Sequence, residues 1–99
     1  MLFSFVCTDH ENSLPARRLS RPAHVERLKQ LASEGRLVIA GPNPALPTTE
    51  VGEEGYTGSL IVADFPSLEE AQAWAAADPY IEAGVYAEVS IKPFIQALP

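Results

Sequence analysis

Residues 20–42, SRPAHVERLKQLASEGRLVIAGP, constrain the chain more than any other stretch, because they read as a helix, a stop, a strand and a sharp turn in close succession. Gly35 halts the helical pattern, the usual role of glycine just past a helix end. Leu37, Val38 and Ile39 follow as an unbroken apolar run, and Gly41-Pro42 turns the chain. Within the helix a 3.6-residue period places Val25, Leu28, Leu31 and Ala32 on one buried stripe. His24 precedes Leu28 by four positions and Leu31 by seven, so it falls on or beside that stripe. Ser20 reads as the cap and Pro22 as a first-turn residue. That puts His24 at the helix start, with Arg21 three residues before it. A titratable ring there is either a hydrogen-bonded core residue or part of a site.

The flanking sequence supplies partners for this unit. Residues 2–8 (LFSFVCT) set Phe3, Phe5 and Cys7 against Leu2, Ser4, Val6 and Thr8, a strand largely apolar on both faces. Residues 9–16 (DHENSLPA) read as a loop, which confines the first helix to 17–34. The second strand spans 36–40. Residues 41–55 carry three prolines and three glycines and read as one long loop, either a hairpin covering an edge or a lid over a pocket. Residues 56–65 read as the third strand, in which Gly58 marks a bulge or a close backbone approach. Ser67-Leu68-Glu69-Glu70 is a capping box, so the second helix begins at Leu68, with Leu68, Ala71 and Ala75 as its stripe and Trp74 beside it. Asp78-Pro79 ends that helix, because the residue before proline avoids helical angles. A short turn over 80–83 leads to Gly84 and a fourth strand, 85–94. There Val85, Ala87, Val89 and Ile91 face one way, and Tyr86, Glu88, Ser90 and Lys92 the other.

The resulting order, βαββαβ, predicts an α+β, ferredoxin-like fold in one domain over residues 1–99: a four-stranded antiparallel sheet with two helices on one face. The opposite face would be bare and apolar, which calls for a partner, most simply a second copy about a two-fold axis. A formal net charge of −6 repels nucleic acid and anionic membranes. No run approaches the ~18 apolar residues of a membrane span. The apolar start, residues 2–6, is short for a secretory signal and lacks a basic lead, so a cytoplasmic location is expected. Cys7 is the sole cysteine, which precludes an internal disulfide, and its apolar setting reads as core filling rather than as a nucleophile. His10, between Asp9 and Glu11, reads as a solvated loop residue rather than a metal ligand. No phosphate loop, dinucleotide fingerprint or metal cluster stands out, so the reading is free of cofactor and metal.

Several pieces together resemble the YCII (YciI-like) family of the dimeric α+β barrel class: Arg21-Pro22-Ala23-His24 with Leu28, Gly35-Arg36-Leu37, Ala40-Gly41-Pro42 and Gly58-Ser59. Further on come the helix entry from Phe65 through Ser67 and Glu69 to Ala71, then Asp78-Pro79-Tyr80, Ala83-Gly84-Val85 and the closing VSIKPF. The resemblance runs nearly end to end. It implies a dimer and a pocket with a His-Asp pair, here His24 and Asp78. It also implies, from at least one relative, dehydrochlorination of a chlorinated hydroxyquinol.

A carboxylate within hydrogen-bond reach would fix one ring nitrogen of His24 as donor and leave the other as a general base. The same pair could equally be a buried bridge that only ties two helices together. Around it, Ser59 offers a hydroxyl for a substrate oxygen. Arg21 either steers an anionic substrate or is an ordinary solvated arginine. Gly41 and Pro42 would shape the rim, and Tyr80 and Phe94 would supply walls or plain core. Two function classes follow: a cofactor-free acid/base enzyme acting on a small, partly apolar substrate, or a non-catalytic ligand-binding or regulatory module using the same pocket.

Overall fold

A computed structural model describes residues 1–99 and has the order β1 (Leu2–Asp9), α1 (Leu14–Ser33), β2 (Leu37–Pro44), β3 (Tyr56–Asp64), α2 (Leu68–Ala76), α3 (Pro79–Glu82) and β4 (Tyr86–Phe94). The four strands form one antiparallel sheet in the order β2-β3-β1-β4, the ferredoxin-like arrangement, with the helices on one face. β1 is central: Phe5 lies opposite Ile61 of β3 on one side and Ile91 of β4 on the other. Directly opposed residues share a face. Phe3, Phe5, Cys7, Ile61 and Ala63 therefore point together into the helix layer, where they meet Leu31 of α1 and Ala71 and Ala75 of α2. Phe5 anchors this core through edge-on contacts with Phe65 at 5.7 Å and Trp74 at 5.4 Å between ring centroids.

Local chemistry explains most element ends. α1 closes in a Schellman pattern, with Gly35 at φ +71°, its amide donating to Ala32 and the Arg36 amide to Leu31. Ser67 caps α2 by accepting from the Glu70 amide at 3.1 Å.

Ala32 and Leu68, expected on the buried stripes of their helices, are exposed, and four larger sequence expectations give way. α1 begins at Leu14, not near Ser20: Pro15 occupies its first turn, and Pro22 lies inside the helix, costing the Arg18 carbonyl its usual donor. The turn expected over residues 80–83 is instead mostly a one-turn helix, α3 (Pro79–Glu82), capped by the Asp78 side chain. Gly41 and Pro42 belong to β2, paired with Leu60 and Ser59, so the connecting loop shrinks to residues 45–55. A register shift between Thr8 and Asp9 of β1 skips Ala87, leaving Ala87 exposed and turning Tyr86 inward.

Gly58 is a close backbone approach. A Cβ there would overlap the carbonyl oxygen of Cys7 on the neighbouring strand. Gly58→Ala is expected to force β1 and β3 apart and cost about 1–3 kcal/mol in urea denaturation. Gly41→Ala, where an added Cβ meets nothing within 4 Å, is the near-neutral comparison.

Candidate functional site

The buried line of α1 is Arg17, His24 and Leu31, each seven residues from the next. Only the last is apolar. The first two are buried because each meets a buried carboxylate presented by another element. Asp9, at the end of β1, accepts from Arg17 Nε at 3.0 Å and from Nη2 at 3.1 Å. The same Nη2 lies 3.1 Å from the Gly58 carbonyl and 3.0 Å from Ser59 Oγ, so β3 is tied to α1 here. Burial alone would lower the pKa of this guanidinium, but its hydrogen bonds and charge interaction with Asp9 leave it raised.

Asp78 is 3% exposed, and the following proline confines its backbone to an extended conformation (φ −65°, ψ 133°). Its Oδ1 accepts from the Tyr80 amide at 2.9 Å, which caps α3. Both carboxylate oxygens lie 2.9 Å from His24 Nδ1. A carboxylate only accepts, so Nδ1 is the protonated nitrogen of that bond. Arg27 stands behind, its Nη1 3.4 Å from Asp78 Oδ2 but without hydrogen-bond alignment, so it contributes charge rather than a bond. Its Nη2 donates to the Trp74 carbonyl at 2.6 Å. The His24 ring is held flat against Tyr80 (centroids 3.9 Å, planes 9° apart) with the edge of Tyr86 at 6.1 Å. Nε2 has no intramolecular partner.

His24 borders a cleft of about 340 Å³ between α1 and the β2–β3 pair. Of the residues singled out from sequence, His24, Arg21, Ser59, Gly41, Pro42 and Tyr80 all line it, and Asp78 sits behind His24 as its support. The expected geometry of the pair is corrected in one respect: His24 lies well inside α1, so the N-terminus of its own helix does not act on its ring. Phe94 is opposite Leu2 on the other sheet face, far from a wall role. The 45–55 loop does not line the cleft itself; its Val51 borders an adjoining hollow with Arg17, Arg21, Pro42 and Tyr56. It leans on the start of α1, with Arg18 Nη1 3.4 Å from Glu53 Oε1.

Arg17, Lys29 and Tyr86 escaped the sequence reading. Pro15 was the available signal for the first: starting the helix there puts Arg17 on the line of His24 and Leu31. Tyr86 is placed by the bulge, which leaves no sequence mark. Its buried hydroxyl has no well-aligned partner, and burial pushes its pKa far up. Burial also pushes the Cys7 thiol up to about 11, which keeps it protonated and unreactive at neutral pH.

The YCII-related domain family matches residues 1–95. Protein YciI of Escherichia coli O6:H1 is 53% identical over 94 residues, covering 95% of this chain and 96% of that one. The derivative of benzaldehyde biosynthesis cluster protein C of Emericella nidulans is 36% identical over 80 residues, 80% of this chain and 79% of that one. Among solved structures, 5-chloro-2-hydroxyhydroquinone dehydrochlorinase from Burkholderia phenoliruptrix AC1100, in complex with 2,5-dihydroxybenzoquinone, superposes with a TM-score of 0.83 at 25% identity, covering 96% of this chain and 94% of that one.

The Asp9–Arg17 pair yields a direct test. Asp9→Ala leaves a buried guanidinium without its carboxylate and is expected to cost about 3–5 kcal/mol of stability in urea. Arg18→Ala, which loses only the exposed contact to Glu53, should change stability by less than about 1 kcal/mol.

Proposed function

Since the chain belongs to the YCII-related family, we propose that it is a cofactor-free acid/base enzyme of lyase or isomerase type, acting as one domain over residues 1–99 with His24 as general base and Asp78 as its orienting carboxylate. One observation carries this reading: Asp78 occupies Nδ1 of His24, while Nε2 has no partner and the ring borders an open cleft. The neighbouring dehydrochlorinase, bound to a small oxygenated ring, supports the reaction class and a substrate of that size.

The step balances without an added reagent. Nε2 takes a proton from an acidic C–H or O–H of the substrate. The freed electron pair forms a new double bond, and in an elimination the leaving group departs with its own bonding pair. In an isomerisation the imidazolium returns the proton at another carbon. Negative charge developing on a substrate oxygen meets the Ser59 hydroxyl and the Arg21 guanidinium. Arg17 donates to Ser59 Oγ, which holds that hydroxyl at the cleft wall. Gly41 and Pro42 form the rim and Tyr80 holds the imidazole plane. The second reading, a ligand-binding module, draws on the same clamp: a ring stacked at 3.9 Å and only 6% exposed is also well suited to a purely structural bridge.

The molecule acts as a homodimer in this proposal. The sheet face away from the helices exposes Val6 (52%), Leu60 (41%) and Ile39 (57%), a patch suited to a second copy.

Turnover is assayed on 5-chloro-2-hydroxyhydroquinone and a panel of small aromatic and unsaturated acids. His24→Asn is expected to lower it by about 10²–10⁴, the range of general-base loss, while the protein stays folded. Asp78→Asn should be milder if Asp78 only orients the ring. A His24→Asn protein with wild-type turnover would return His24 to the core, and a wild type that binds panel members without converting any would favour the binding module. For assembly, light scattering should give twice the 10.7 kDa chain mass for the wild type and the single mass for a Val6→Glu, Leu60→Glu double variant. A wild type that is monomeric at micromolar concentration would defeat the dimer.

A further inference from the structure

The cleft is polar at one end and apolar at the other. Across the β2–β3 pair, Pro42 faces Ser59, Ala40 faces Ile61, and Leu37 faces Ala63 further along. The first level is that of Arg17, which binds Ser59 there, and His24 stands seven residues on, about 10 Å farther along α1 at 1.5 Å per residue. Leu28 and Ala32 follow farther along α1 and line the same cleft with Leu37. Charge is just as uneven. The chain carries −6, yet no Asp or Glu lines the cleft, while Arg17, Arg21 and Lys29 do. Asp9 neutralises Arg17. Arg21 is in no ion pair or hydrogen bond, so its charge is available to a ligand. Lys29 is eight residues beyond Arg21, about 12 Å along the axis at 1.5 Å per residue, on the apolar side of His24.

From this we infer that the site takes an amphiphilic organic anion in one orientation. The acidic group lies at the Arg21, Ser59 and His24 end, and an apolar body extends toward Leu28, Ala32 and Leu37. The inference rests on the cleft being the ligand site of the proposed function, but not on His24 being a base. Three features act together: a free guanidinium for charge, a hydroxyl held at the cleft wall by Arg17, and an apolar trough that water fills poorly. A neutral analogue of the same shape would forgo the first. A short anion would forgo the third.

Isothermal titration calorimetry with benzoate, 4-butylbenzoate and 4-butylbenzamide tests this. On wild type, 4-butylbenzoate is expected to bind at least about fivefold tighter than the amide, and at least about tenfold tighter than benzoate through burial of the butyl chain. Arg21→Gln should bring acid and amide within about twofold, whereas Lys29→Gln should keep the preference. Ala32→Phe, which fills the apolar end from an exposed helical position, should remove the advantage of the butyl group and spare benzoate. Equal affinity for acid and amide, loss of the preference in Lys29→Gln but not in Arg21→Gln, or no binding of any probe at millimolar concentration would each overturn the inference. The readout is independent of chemistry: this pattern of binding beside unimpaired turnover in His24→Asn would reject the base and leave the orientation standing.

Discussion

Two carboxylates removed from water, Asp9 and Asp78, determine where α1 can lie. Each is buried, and each finds its hydrogen-bonding partner on the same face of that helix. Sliding α1 by one turn would strand both, and an uncompensated buried charge costs more than a helix of this length gains from propensity. The helix accordingly tolerates Pro22 in its interior and a weakly apolar buried line. Its position is set by polar contacts at its start and middle, and by Leu31 and the Gly35 turn at its end.

This division explains what could be read from the sequence. The strands were legible because Phe3, Phe5 and Cys7, or Ile61 and Ala63, repeat with period two against a covered face. Gly35 and Ser67 announced a helix end and a helix start through chemistry that needs no tertiary context. The start of α1 was legible only through Pro15, because its first buried residue is Arg17, which a hydrophobic period counts as solvent-facing. Tyr86 is placed by a different cause: strict alternation assumes an unbroken register, and the extra residue at Ala87 turns Tyr86 inward, while Val85 stays in the core. The His24–Asp78 pairing was inferred from resemblance and lies at hydrogen-bonding distance, but by a route the sequence disguised, with one partner inside a long helix and the other capping a four-residue one.

The chemistry-bearing groups come from separate elements: His24 and Arg21 from α1, Ser59 from β3, and Asp78 from the start of α3. Arg17 links the first two sets directly, since it binds Asp9 on β1 and Ser59 on β3 while lying on the helix that carries His24. Ring and hydroxyl are thus held at a common spacing by a buried ion pair, rather than by a loop that could drift.

The sheet's two outer strands, β2 and β4, carry Pro42, Pro44 and Pro93. Proline has no amide hydrogen to offer a further strand, and within a ladder it is tolerated where its nitrogen faces away from the neighbour. Both margins of the sheet are therefore poor templates for strand addition, which disfavours open-ended growth into filaments. With lateral association blunted on each side, the dimer proposed above would have to form through the sheet face away from the helices, and a contact made that way closes on itself after one partner.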